Sequence, residues 1–139
     1  MLVVTREHSI KTNGENDIVN VTELVSRTIT DCTLQCGIIT VFVVGSTAAI
    51  TTIEYEPGLK KDFPKALDNI VPKGIDYEHD KTWHDGNGHS HIRSSLIGPS
   101  LTIPFIKGRL SLGIWQQIIL IELDTRPRER KIVIQIIGE

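Results

Sequence analysis

Isoleucine dominates this sequence, supplying 21 of its 139 residues, while aromatic residues supply only 5%. A core filled by β-branched aliphatic side chains favours sheet, where such side chains pack well against their neighbours on a pleated surface. The length matches one domain, expected to cover residues 1–139, with enough material for a core that needs no disulfide or structural metal. It is too short for a (β/α)₈ barrel, which takes at least ~200 residues. Charged residues at 23% and hydrophobic residues at 40% are the proportions of a folded soluble domain rather than a disordered one. A net charge of −2 gives no overall field for nucleic acid. The longest apolar run, Ile114–Ile121, is interrupted by Gln116 and Gln117. It falls well short of the ~20 residues of a membrane span, and the start lacks the basic-then-apolar pattern of a signal peptide. The expectation is a cytoplasmic protein with neither nucleic-acid nor membrane partners. Cys32 and Cys36 lack the second thiol pair of a zinc ribbon and read as small apolar residues.

Along the chain, Leu2–Ile10 reads as a strand, followed by a turn cluster from Asn13 to Asp17. A helix is expected from Thr22 to Leu34, because Val21, Leu24, Val25, Ile29 and Cys32 recur at three- to four-residue spacing. Asn20 or Thr22 would cap it, and Gly37 would supply the left-handed exit. Gly37–Val44 and Ser46–Tyr55 read as strands. Glu56-Pro57-Gly58 opens a second helix whose apolar face is Leu59, Phe63, Leu67 and Ile70. Pro64 predicts a kink or a restart capped by Asp62, and Val71-Pro72 ends the helix. Residues 72–88 lack periodicity and read as a long ordered loop, then a short helix runs from Asn87 to Ile97. Strands Ser100–Ile106 and Arg109–Leu123 flank a hairpin at Lys107-Gly108, and a charged turn, Asp124–Arg130, leads to a last strand, Lys131–Ile137. The sum is a single α+β domain with six strands, mostly antiparallel in a mixed sheet, and two or three helices.

Chemistry concentrates in the aperiodic segment. His79, His84, His89 and His91, four of the five histidines, fall within thirteen residues, interleaved with Asp80, Asp85 and Asn87. Imidazoles and carboxylates are the usual ligands of zinc and related divalent ions. The alternative is a surface loop whose polar groups brace one another. His89 and His91 would share a face on a strand, but on a helix they point about 200° apart, and then only one can reach a given ion. His84, beside Trp83, reads as packing or surface, and His8 as surface. Ser46 and Thr47 follow Gly45 at a strand opening, where hydroxyls and amides either hold an anion or make local turn bonds. Arg126, Arg128 and Arg130 place three guanidiniums in one turn, either for phosphate or simply solvated. Trp115 and Gln116 are neighbours on a strand, so one faces the core and the other a second surface.

Several runs taken together resemble the YjbQ-like family, many of whose members are labelled secondary thiamine-phosphate synthases. These are Tyr77-Glu78-His79-Asp80, Asp85-Gly86-Asn87-Gly88-His89-Ser90-His91, Gly98-Pro99-Ser100, Gly108-Arg109-Leu110 and Leu112-Gly113-Ile114-Trp115-Gln116. The resemblance implies an α+β homotrimer, which in turn could pair as a dimer of trimers. It also implies a histidine site near a subunit boundary, often holding a divalent metal. The implied reaction joins a pyrimidine diphosphate to a thiazole phosphate and releases pyrophosphate. His79 and His91 fall on family histidines. A third family histidine is replaced by the run Gly45-Ser46-Thr47-Ala48-Ala49, and of a family Asn-Glu-Asn only Glu54 remains. The resulting expectation is that His79, His89 and His91 hold a divalent ion, zinc foremost, with magnesium as the catalytic alternative. Glu54 or Asp80 would be the catalytic general base. Ser46, Thr47, Asn87, Trp115, Gln116, Arg126 and Arg128 would bind a small phosphorylated metabolite. A metal-dependent hydrolase and a non-catalytic metal- or metabolite-binding module are the alternatives.

Overall fold

The computed structural model describes residues 1–139 as eight strands and four helices. The strands are β1 (Leu2–Lys11), β2 (Ile18–Asn20), β3 (Cys36–Val44), β4 (Ala48–Glu54), β5 (Ser100–Ile106), β6 (Arg109–Leu110), β7 (Gln116–Glu122) and β8 (Glu129–Gly138). The helices are α1 (Thr22–Cys32), α2 (Pro57–Ile70), α3 (Glu78–Trp83) and α4 (Gly88–Ile97). The strands form two antiparallel sheets, one ordered β1-β8-β3-β5-β6 and the other β2-β7-β4. The fold is α+β in one domain, as the sequence indicates, but its strands divide between two sheets instead of forming one.

Strand β7 shows why the division is stable. Ile118 and Leu120 pack toward the first sheet, while Ile119 and Ile121 pack toward Leu67 of α2 and its neighbours Phe63 and Ile97. All four isoleucine and leucine side chains are fully buried. A strand buried on both faces has no polar side to alternate with, hence the unbroken apolar run. The first sheet does alternate. Ile39, Val41 and Val43 of β3 sit opposite Ile136, Ile134 and Ile132 of β8, all pointing inward. On its other face Val3, Ile137, Ile38 and Pro104 form a row across four strands. A polar row follows, in which Gln135 donates to Thr5 at 3.2 Å and Thr40 pairs with Thr102 at 2.8 Å. Ile38, Phe42, Val44 and Ile137 on this face are exposed.

Local departures from the sequence expectation have local causes. The expected strand Arg109–Leu123 breaks at residues 111–115, so β6 stays in the first sheet and β7 joins the second. The side-chain oxygen of Gln116 accepts the Gly113 amide at 3.0 Å, and the Gln116 amide donates to the Gly113 carbonyl at 3.0 Å. Helix α1 has Val21 at its N-cap position, although Asn20 Oδ1 still accepts the Thr22 amide at 3.0 Å. Thr33, not Gly37, takes the left-handed exit. Helix α2 runs unbroken through Pro64 without a restart at Asp62, and Glu56 caps it by accepting the Gly58 and Leu59 amides. The expected loop over residues 72–88 contains α3.

Gly37 answers a packing demand. A Cβ there would lie 2.1 Å from the Ile137 carbonyl oxygen, on a backbone with φ of +153°. Gly37→Ala should therefore cost roughly 2–4 kcal/mol, read as a lower urea midpoint with an unchanged m-value.

Candidate functional site

Two short helices bring the site together. The Gly88 amide donates to Asp80 Oδ1 at 2.8 Å, fastening the start of α4 to α3. Gly88 must lack a side chain, because a Cβ there would approach Tyr77 Cβ to 2.5 Å. This close approach sets His79 of α3 beside His91 of α4, with ring centroids 4.3 Å apart and planes inclined by 52°. His79 Nε2 lies 3.1 Å from Asn87 Oδ1 and 3.5 Å from Asp85 Oδ1. The other end of the Asn87 amide donates to Asp124 Oδ1 at 3.3 Å.

Asp124 is the hub. Its Oδ2 accepts from Arg128 Nε at 2.9 Å and Nη2 at 2.5 Å, and from Thr47 Oγ1 at 3.1 Å. Burial by itself would raise its pKa. The Thr125 backbone amide, then Arg128, Asn87 and Thr47, outweigh burial and bring the pKa to about 2. Beneath it lies a second ionic pair, Arg130 with Glu122, at 2.9 and 2.5 Å. Thr12 donates to Glu122 at 2.7 Å, and Arg130 also reaches the Thr47 carbonyl at 3.0 Å. His91 has a lowered pKa because burial and the neighbouring His79 disfavour its charged form, against the opposing pull of Asp124, Asp85 and Asp80. The setting of His91 therefore favours its neutral form, the form that coordinates metal or accepts a proton.

The expected three-imidazole set is not assembled. His89 is 4% exposed and turns to Glu15 Oε1 at 2.5 Å, packing near the Tyr77 ring. Two residues apart on α4, His89 and His91 point to different sides, as helical geometry requires. His89 is a brace between the turn after β1 and α4, and Lys73 completes it at 3.1 Å from Glu15. No group of three His, Cys, Asp or Glu side chains converges on one point. At Gly45, where the resemblance implies a histidine in other members, a Cβ would meet Arg130 Nη1 at 2.8 Å. The space is taken by the guanidinium of the buried pair.

Glu54, Trp115 and Gln116 lie elsewhere. Glu54 pairs with Gln116 at one end of β4, while Ala48, next to Thr47, pairs with Glu122 at the other. Six residues of strand separate the ends by ~20 Å. Within one chain Glu54 is thus no partner base for His79 and His91. It lines a cleft of about 370 Å³ with Asn20, Tyr55 and Trp115. Gln116 satisfies its amide on Thr52 at 3.2 Å, and Trp115 is exposed. Asp80 stays beside the cluster, engaged at Gly88. Ser46 and Arg126 are exposed, whereas Thr47 and Arg128 belong to the Asp124 network. Sequence reasoning missed Glu15, Glu122 and Asp124, and it read Arg130 as phosphate-binding or solvated where the structure buries it against Glu122. A signal existed for Glu122: a charge closing the apolar run Ile118–Ile121 must be paired if that run is buried.

A family model described as UPF0047 protein YjbQ-like matches residues 6–139. The chain belongs to the YjbQ-like family. A UPF0047 protein of Methanothermobacter thermautotrophicus is 36% identical over 139 residues, covering 100% of this chain and 95% of that protein. YugU of Bacillus subtilis, another UPF0047 protein, is 32% identical, covering 93% and 96% respectively. A solved structure from Sulfolobus solfataricus superposes with a TM-score of 0.89 at 29% identity, over 99% of this chain and 100% of that one. A YjbQ/UPF0047 protein of Clostridium acetobutylicum gives 0.86 at 36% identity, over 95% and 99%. In this YjbQ-like chain no helix is long and apolar enough to cross a membrane.

The Asp124 carboxyl sits below its ordinary value of 3.8, so the stability it confers is complete above about pH 4 and is lost as pH falls toward 2. Acid titration of unfolding free energy should show a loss on the order of 2 kcal/mol across that window, and Asp124→Asn should remove this component of the slope.

Proposed function

We propose that the His79–His91 pair binds a divalent metal ion together with a small phosphorylated molecule. The observation that carries this reading is the pairing of two imidazoles 4.3 Å apart, one of them in surroundings that disfavour its charged form. The donor set fits an ion taken up with open positions, because two rings are in place and no third His, Cys, Asp or Glu side chain joins them. Zinc suits the imidazoles, and magnesium would lean more on the carboxylates. When bound, the ion would neutralise charge on a phosphate group. Arg128, partly exposed and fixed by Asp124, would offer its remaining N–H groups to the same phosphate, with the exposed Arg126 nearby in sequence. Asp80, the general base of the hydrolase alternative, sits beside the cluster with Oδ1 engaged at Gly88.

Such a site suits the transfer implied by the resemblance, in which a thiazole nitrogen displaces diphosphate from the pyrimidine methylene carbon and pyrophosphate leaves. Zinc competition against a chromophoric chelator tests the site, with His79→Ala and His91→Ala each expected to weaken binding at least tenfold. His89→Ala should keep zinc affinity while lowering stability by about 1–3 kcal/mol, from the loss of its bond to Glu15. Should both single variants bind zinc as the parent does, the metal reading fails. Pyrophosphate release from pyrimidine diphosphate and thiazole phosphate tests the transfer separately. No release in the presence of bound metal would leave a metal-binding module or a hydrolase.

The open face of the first sheet supports self-association, in keeping with the trimer that the resemblance implies. Ile38 and Ile137 on one side of the polar row, and Phe42 and Val44 on the other, are exposed apolar side chains of the kind that partner subunits cover. Light scattering should give the mass of three chains or a multiple of three, and Phe42→Glu should shift it toward one.

A further inference from the structure

We infer that Asn87 and Asp124 fix a proton of the His79 ring on Nε2, leaving Nδ1 as the atom that acts. The inference deepens the metal reading and rests on it only for what Nδ1 would hold; the proton's location stands on hydrogen bonding alone.

A neutral imidazole donates through one nitrogen and accepts through the other, and its surroundings decide which. Here the decision starts at Asp124. Its side chain is 2% exposed, and Arg128 and Thr47 both donate to Oδ2. An ionised carboxylate only accepts. The end of Asn87 facing Asp124 Oδ1 must therefore be the amide nitrogen, at 3.3 Å. The amide is planar, so its oxygen faces the other way, 3.1 Å from His79 Nε2. That carbonyl oxygen can only accept, and Nε2 must donate. Asp85 Oδ1, 3.5 Å from the same nitrogen, favours the same protonation. The chain of dependence runs from Arg128 through Asp124 and Asn87 to His79, and each group's polarity is dictated by the one before it. Asn87 is 6% exposed, so water has little access to break the sequence.

Two consequences follow. Asn87 has both ends of its amide engaged, so it acts through His79 and is a positioning residue instead of the direct substrate contact the sequence suggests. The lone pair available to a metal ion, or to a proton, is on Nδ1.

Two-bond ¹H–¹⁵N spectra of the ¹⁵N-labelled full chain, at about pH 8 where histidines are neutral, read the tautomer directly. His79 is assigned by the signal lost in His79→Gln. The expected result is a single Nε2–H tautomer for His79 in the parent, and a mixture of both tautomers in Asn87→Ala and in Asp124→Asn. An Nδ1–H pattern in the parent overturns the inference whether or not either variant folds. A pure Nε2–H pattern persisting in a folded Asn87→Ala overturns the role of Asn87. Adding zinc should then shift Nδ1 while the Nε2–H correlation persists, and loss of that correlation would place the metal on Nε2 and refute the assignment. If zinc changes neither nitrogen, the metal reading falls while the metal-free spectrum still decides the tautomer.

Discussion

The buried pair between Glu122 and Arg130 is the constraint on which the rest hangs. Glu122 closes β7 in the second sheet, and Arg130 lies near the start of β8 in the first. Thr12, just past β1, and Thr47, just before β4, bond to the same two side chains. Four chain segments that pass between or leave the two sheets thus meet at one ionic knot with almost no solvent access. Ions removed from water in this way hold their positions because each oxygen and N–H that loses its partner incurs a large desolvation cost. The sheets could slide on an aliphatic core, which has no directional bonds. The knot specifies their alignment.

Asp124 carries that alignment to the cluster. It follows β7 by two residues, shares Thr47 with the Glu122–Arg130 pair, and reaches Asn87 at the mouth of α4. The histidines sit on two short helices that bury little of their own apolar surface. Their geometry comes from the sheet junction behind them and from the close contact of Gly88 with Tyr77. Arg93 holds α4 from the other side, donating to the Val71 carbonyl at 3.0 and 2.7 Å and to Asp68 at 2.7 Å. A site placed on short elements can be ordered when both flanks are tied in this way.

Much of the fold was legible because its signals are local. The run Ile118–Ile121, the alternation in β3 and β8, the Glu56-Pro57 helix start and the Lys107-Gly108 hairpin follow from period, capping and turn chemistry. The split into two sheets was not legible, since residues 111–115 carry no strong breaker and the turn is closed by Gln116 reaching back to Gly113. Helix α3 was missed because its six residues show no apolar period, and its stability comes from packing on α4. The family runs brought His79, His91, Asn87 and Asp80 to attention together. They could not separate His89, whose partner Glu15 lies 74 residues away in sequence.

By itself, the sequence determined a β-rich domain with an aliphatic core, membership of the YjbQ-like family and a concentration of imidazoles between α2 and β5. Those properties depend on composition, period and motif, which are written along the chain. Only the tertiary structure decided that His79 meets His91 while His89 turns away, and that Glu54 and Trp115 stand at the far end of the strand pair. It also decided which residues beyond the motif govern the site. Those outcomes depend on which side chains occupy the same few ångströms after folding, and hydrogen-bond polarity passes only between groups in contact.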